Sequence, residues 1–411
     1  MISKIKANIL LSCIFISSLC QAQLMLEDIT RAFENGTTSL NFRLRYEKAQ
    51  IDKLADANAT TLRSELTFTT DNINDFKIKL GLIDVSSIFG QDYDPAIAPL
   101  EKPNYAKIYD PKGTGLSEAS IAYLGIMDTN IRLGRQFILL DNERFIGSDE
   151  FRQYPQSFDA LSINSTALVG FNLYYAFILN VNTTNSNVSF TGGRRSLRTH
   201  IINLDWNEYL YGTVGAYLYF NNDKDIPEYS NITYGIRLYS NDENDFYGFN
   251  YLIEIARQES KFKNPNIYNA HYAHLELSKK IENVSFDLGW EHLGAASAAP
   301  GEVFYTSLGS NHKFNGLADA FYPQTPDDGL NDYYLAIHGG NPQLELKLAY
   351  HLFYTHKNFS TSKIGSEVDV SIDFIFNPQL KLNVSYTQFH ANNIAFSDTS
   401  RVWFMLHANI L

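Results

Sequence analysis

The run LNFRLRYE, Leu40 to Glu47, alternates strictly. Leu40, Phe42, Leu44 and Tyr46 are apolar or aromatic, and Asn41, Arg43, Arg45 and Glu47 are polar. Successive side chains of an extended chain point to opposite faces, so a period of two marks a strand with two unlike sides. The pattern recurs along the chain. Phe76, Ile78, Leu80 and Leu82 alternate with Lys77, Lys79 and Gly81, and Val284, Phe286, Leu288 and Trp290 with Ser285, Asp287, Gly289 and Glu291. The runs 169–179, 210–220, 344–352 and 367–374 behave the same way.

The connectors alternate as well. Short turns are expected at 71–75, 125–129, 164–168, 206–208, 241–245, 279–283, 339–342 and 377–379. Longer loops fall between them, the longest at 87–115, 139–156 and 294–331. Strands of roughly 9–12 residues, joined by tight turns at one end and long loops at the other, suit a tilted strand crossing hydrocarbon. The expected fold is all-β: a transmembrane, antiparallel, up-and-down barrel of about eighteen strands, with sixteen as the open alternative. Its short turns would be periplasmic and its long loops extracellular. A soluble β-sandwich is the competing reading, disfavoured by strands longer than the usual five to six residues.

Lys4 and Lys6, the apolar run Ile9 to Leu19 and Ala22 follow the order of a secretory signal peptide. The expected division is therefore a signal peptide at 1–22, a short lead-in at 23–38 and a barrel at 39–411. Acylation at Cys20 is the alternative for this segment. Cys13 and Cys20 both lie within it, so the remainder has no disulfide and no thiolate site. Without Lys4 and Lys6 the net charge is about −14, which argues against a nucleic-acid partner. The last strand, Arg401 to Leu411, ends on Leu411, where outer-membrane barrels usually end on Phe.

A barrel of around eighteen strands is too wide for its own side chains to fill, so its polar faces would border water or an inward-folded loop. The phase puts Arg43, Arg45, Arg63, Glu65, Lys77, Lys79 and Arg132 inside on the first third of the wall, mostly basic. Arg237, Glu254, Asp287, Glu291, Glu367, Asp369 and Asp373 follow on later strands. Opposed basic and acidic walls set up a transverse field, and basic rings select anions. Arg135 is ambiguous. Alternation from Ile131 and Leu133 directs it to lipid, at a cost of ~2–4 kcal/mol near the midplane. Either a bulge at Gly134 reverses the phase, or Arg135 lies at the outer rim.

Two longer motifs stand apart from the alternation. Residues 134–160 hold Gly134-Arg135-Gln136, Asp141, Glu143-Arg144-Phe145, Gly147, Arg152-Gln153 and Gln156-Ser157-Phe158-Asp159-Ala160. Residues 312–332 hold His312-Lys313-Phe314-Asn315-Gly316, Ala318-Asp319, Phe321, Gly329-Leu330 and Asp332. Tyr350-His351 and Gly365-Ser366-Glu367-Val368-Asp369 follow. Together they resemble the alginate-export family of outer-membrane porins, with Phe151 and Leu317 where that family has Trp. The resemblance implies a monomeric eighteen-stranded barrel that passes anionic polysaccharide through an arginine-rich lumen. Arg135, Arg144, Arg152 and Asp159 would line it beside the first strands, and Glu367 and Asp369 would belong to the same lining.

No nucleophile elbow, calcium-loop spacing or metal-ligand helix pattern occurs, so catalysis, metal and cofactor are not expected. The expected function is passive, selective diffusion of anionic solutes, alginate-like polyuronates or oligosaccharides, across the outer membrane. The expected partners are outer-membrane lipid, the anionic solute and, for export, a periplasmic feeder protein. A general cation-preferring porin and a plugged structural or adhesive barrel are the alternatives.

Overall fold

The computed structural model describes residues 27–97, 101–185, 193–240, 245–297, 299–357 and 363–410. The segment expected to be a signal peptide, with Cys13 and Cys20, and the terminal Leu411 lie outside them. Eighteen strands follow in chain order. They are β1 (Thr37–Ile51), β2 (Ala57–Thr69), β3 (Phe76–Asp92), β4 (Gly113–Ile126), β5 (Thr129–Gln136), β6 (Ser157–Ser165), β7 (Phe171–Asn182), β8 (Arg194–Tyr209) and β9 (Gly212–Asn221). The second half holds β10 (Asn231–Tyr239), β11 (Asn250–Ser260), β12 (Asn269–Ile281), β13 (Val284–Leu293), β14 (Leu330–Asn341), β15 (Leu344–Tyr354), β16 (Lys363–Asn377), β17 (Leu380–Ala391) and β18 (Thr399–Asn409).

Each strand pairs antiparallel with its sequence neighbours, and β1 pairs with β18, so the sheet closes without an edge. Closure gives each strand a partner on both sides, which an open sheet in lipid would not. Of the two strand counts considered, eighteen is the one observed. Turn positions agree with the sequence reading at 71–75 and 377–379 but not at 206–208. There β8 continues to Tyr209 and the turn is Leu210-Tyr211. The aromatic side chains of Trp206, Tyr209 and Tyr211 form a row that carries the strand past the polar residues taken for a turn.

The polarity is inverted relative to a soluble protein. Leu288, in the middle of β13, is 63% exposed, whereas Arg45 in β1 is 1% exposed. Outward positions carry Leu82, Leu133, Ile255, Leu335 and Leu348, all exposed. Inward positions carry Glu47, Arg63, Glu254, Glu291 and Arg401, all buried. An exposed apolar surface around a closed sheet requires an apolar surround. A short helix at 27–34 rests on the β2–β3 turn, where the Ala32 carbonyl accepts from the Asp71 amide at 2.9 Å.

Part of the inner face is apolar too. Ala176, Ile178, Tyr217, Tyr219 and Tyr272 face inward and are buried against Phe145, Ile146, Phe304 and Leu308. These four belong to two loops, so the core sits between the wall and chain folded into the barrel.

Candidate pore and its constriction

Two loops fill the middle of the lumen. One joins β5 to β6 (137–156) and carries the first motif. The other joins β13 to β14 (294–329) and carries the second. They bind each other along a short parallel contact. The Gly147 amide donates to the Leu308 carbonyl at 3.0 Å, and the Ser310 amide to the Glu143 carbonyl at 2.9 Å. Gln156 Nε2 donates to the Gly147 and Leu308 carbonyls, both at 2.9 Å. Ser310 Oγ accepts from the Asp149 amide and donates to the Glu143 carboxylate, both at 2.8 Å. At Gly309 a Cβ would collide with the Arg144 carbonyl, so glycine is what lets the backbones approach.

Charge then ties both loops to the wall. Arg144 pairs with Glu291 of β13 at 2.7 Å and donates to Asn315 Oδ1 at 2.7 Å. Arg152 is fully buried and pairs with Asp319 at 2.8 Å, and His312 Nδ1 lies 2.8 Å from the same carboxylate. Phe151 stacks on His312 with ring centres 3.5 Å apart, and the Arg45 guanidinium covers Phe151 at 4.3 Å. Arg45 also pairs with Asp110, from a third loop (93–112), and Asp110 accepts from the Gln153 amide at 2.8 Å. Burial raises the Asp319 pKa, but Arg152 and then His312 outweigh it and hold the group below the ordinary carboxylate value. For Asp110 burial is likewise outweighed, by Arg45 and Arg152. Asp149 differs: burial pushes it up to about 7, with Arg152 only partly opposing.

Glu367 and Asp369 hold the second loop. The Ala318 amide donates to Glu367 at 2.7 Å and the Leu317 amide to Asp369 at 3.3 Å. Gly316 has φ +83°, and a Cβ there would lie 2.5 Å from the Glu367 carboxylate. Glu367 is thus an anchor for loop backbone, not a free pore-lining charge. Arg144 and Arg152 are likewise ion-paired inside the constriction.

Two cavities border this plug. One, of about 630 Å³, is lined by Arg43, Arg63, Glu65, Lys381 and His407, and reaches the short turn at Pro378-Gln379. The other, of about 590 Å³, is lined by Glu276, Asp287, Asp332, Asp369, His351 and Lys347. Glu150, Phe151 and Met405 border both. Arg43 and Arg63 are cross-strand neighbours in register. Arg43 donates to Gln153 Oε1 and the Glu150 carbonyl, each at 2.8 Å, and Arg63 pairs with Glu65. Arg132 faces inward on β5 and donates to Ser120 Oγ at 3.3 Å. The first cavity thus carries Arg43, Arg63 and Lys381 with Glu65 and Glu150, and the second carries Glu276, Asp287, Asp332 and Asp369 with Lys313 and Lys347. Lys381, His407 and Glu150 did not feature in the sequence reading. The phase of the last strand, with Phe404 and Leu406 outside, points His407 inward and was the available signal.

Arg135 and Asp159 are a correction. They sit opposite each other on β5 and β6 and pair at 2.8 Å. Both share the phase of Leu133 and Leu161, which are exposed on the outer face. Neither lines the lumen. Strict alternation continues through Gly134, and the pairing with Asp159 compensates the outward charge.

A closed eighteen-stranded barrel with loops folded into its lumen has the architecture of an outer-membrane porin. In fold it is similar to OccAB4 of Acinetobacter baumannii, with a TM-score of 0.69 over 91% of this chain and 98% of that one, at 14% identity. Pseudomonas aeruginosa OpdK, solved with vanillate, gives 0.68 over 92% and 99%, at 14% identity. OccK3 (OpdO) of the same organism gives 0.66 over 94% and 98%, at 12% identity. No family model and no curated protein matches the sequence. The resemblance to the alginate-export family is thus overturned: the barrels this chain superposes on are of the Occ and Opd type. Physically, the two motifs that suggested it serve loop-to-loop packing and loop anchoring, which any plugged barrel needs whatever its solute.

Proposed function

We propose that the protein is an outer-membrane channel for passive diffusion of small polar solutes that carry an anionic group, exported to that membrane by its segment 1–22. The observation that carries this reading is the cross-strand pair Arg43 and Arg63, facing a 630 Å³ cavity with Lys381 and His407 beside it. Arg43, Arg63 and Lys381 set against Glu65 and Glu150 leave this cavity net positive, and a confined site strengthens the attraction for a carboxylate. The vanillate in OpdK, a small aromatic carboxylate, supports a solute of this size. The facing carboxylates favour a short anion over a polyanion, whose repeated charge would meet Asp332 and Asp369.

A general cation preference is the second reading, favoured by the same acidic wall. Swelling of liposomes containing the protein separates the two. Small monocarboxylates should enter faster than neutral sugars of equal size, and Arg43→Gln/Arg63→Gln should remove the advantage. Faster entry of small amines than of carboxylates would overturn the anionic reading.

A further inference from the structure

The outer face of β5–β8 changes character sharply near its long-loop end. On β8 the outward residues run from Trp206, Leu204 and Ile202 through His200 to Arg198, Ser196 and Arg194, from apolar to polar and cationic. On β5 and β6 Leu133 likewise gives way to Arg135, and Leu161 to Asp159. The change occurs just beyond an aromatic row. Phe177 stacks on His200 at 4.6 Å, and the Tyr175 hydroxyl lies 3.0 Å from His200 Nδ1. Aromatic side chains of this kind sit where hydrocarbon meets headgroups. The cations therefore stand at headgroup height, on the side facing away from the lumen.

Their arrangement is built rather than scattered. Asp159 accepts from Arg135 at 2.8 Å and from Arg194 at 3.1 Å, and Asn182 donates to it at 3.2 Å. One carboxylate thus holds two guanidiniums side by side. Arg194 keeps 57% of its side chain exposed, and Arg198 is exposed with one donor on the Leu197 carbonyl at 2.7 Å. Asp225 is engaged by the Ser196 amide at 2.7 Å. The patch keeps a cationic excess with outward-facing donors.

We propose that Arg194, steadied by Asp159 and Arg135, and Arg198, two outward positions further along β8, bind the phosphates of a phosphorylated glycolipid headgroup in the outer leaflet. The ligand class follows from the donors, since guanidinium pairs with phosphate through parallel N–H bonds, and from the position above an apolar belt. The inference rests on the outer-membrane reading of the barrel.

The test is native mass spectrometry of the full-length barrel in detergent, titrated with bisphosphorylated lipid A, its dephosphorylated form and phosphatidylglycerol. The wild type should hold one bisphosphorylated lipid A ~tenfold more tightly than either of the others. Arg194→Gln/Arg198→Gln should lose that preference, and Arg198→Gln alone should weaken it if the double variant fails to fold. Equal preference in the variants, or tighter binding of phosphatidylglycerol, would overturn the proposal. Single-channel conductance in a bilayer free of lipid A should be unchanged in the variants. Its absence from every protein would count against the channel reading and leave the lipid result standing.

Discussion

Arg152 has no exposed surface, and its charge is compensated chiefly by Asp319. Removing one partner of a buried pair leaves the other charge desolvated and unmatched, at a cost of about 3–5 kcal/mol. Asp319→Asn keeps the shape and loses the charge, so it should lower the temperature at which the folded band disappears on unboiled gels. An unchanged transition would show that water reaches Arg152. Asp149 gives the opposite sign. Its pKa is raised by burial to about 7, with Asp319, Asp110 and Glu143 adding to the rise and Arg152 opposing it. Its contribution to the docked loop is complete below the ordinary carboxylate pKa and is lost as pH rises through about 7. Protease cleavage within 137–156 should therefore accelerate between pH 5.5 and 8.5, and Asp149→Asn should flatten that dependence. The individual arginines were legible in the sequence. Their partners were not, because Arg152 and Asp319 lie on different loops and no periodicity records the contact.

At the scale of elements, the two inserted loops behave as one body, joined through Gly147–Leu308 and Glu143–Ser310. Gly309→Val would force the backbones apart, since even a Cβ collides with the Arg144 carbonyl. Single-channel conductance should rise and its noise increase; an unaltered trace would mean that the loops do not limit flow. The strands themselves were readable because a one-residue slip would turn every side chain to the wrong face. Arg135 illustrates the strength of that signal: simple alternation placed it outward, the family resemblance placed it inward, and the structure follows the alternation. The alternation was least informative where Tyr217 and Tyr219 face inward, because a buried loop makes the inner wall apolar there as well.

The whole molecule is a closed sheet with its apolar side outward, and its stability depends on lipid meeting that side. Leu288→Arg, at an exposed mid-strand position, should reduce the free energy of folding into vesicles by ~2–4 kcal/mol, whereas a loop-end substitution such as Lys263→Ala should not. The inserted loops leave a vestibule with a basic wall at Arg43, Arg63 and Lys381 and an acidic wall at Asp332 and Asp369. Which wall governs permeation is the central question, and the reversal potential of the refolded protein in a planar bilayer under a salt gradient answers it most directly. The proposed function predicts an anion-selective potential that moves toward zero in Arg43→Gln/Arg63→Gln. A cation-selective potential, unaffected by those substitutions, would contradict it.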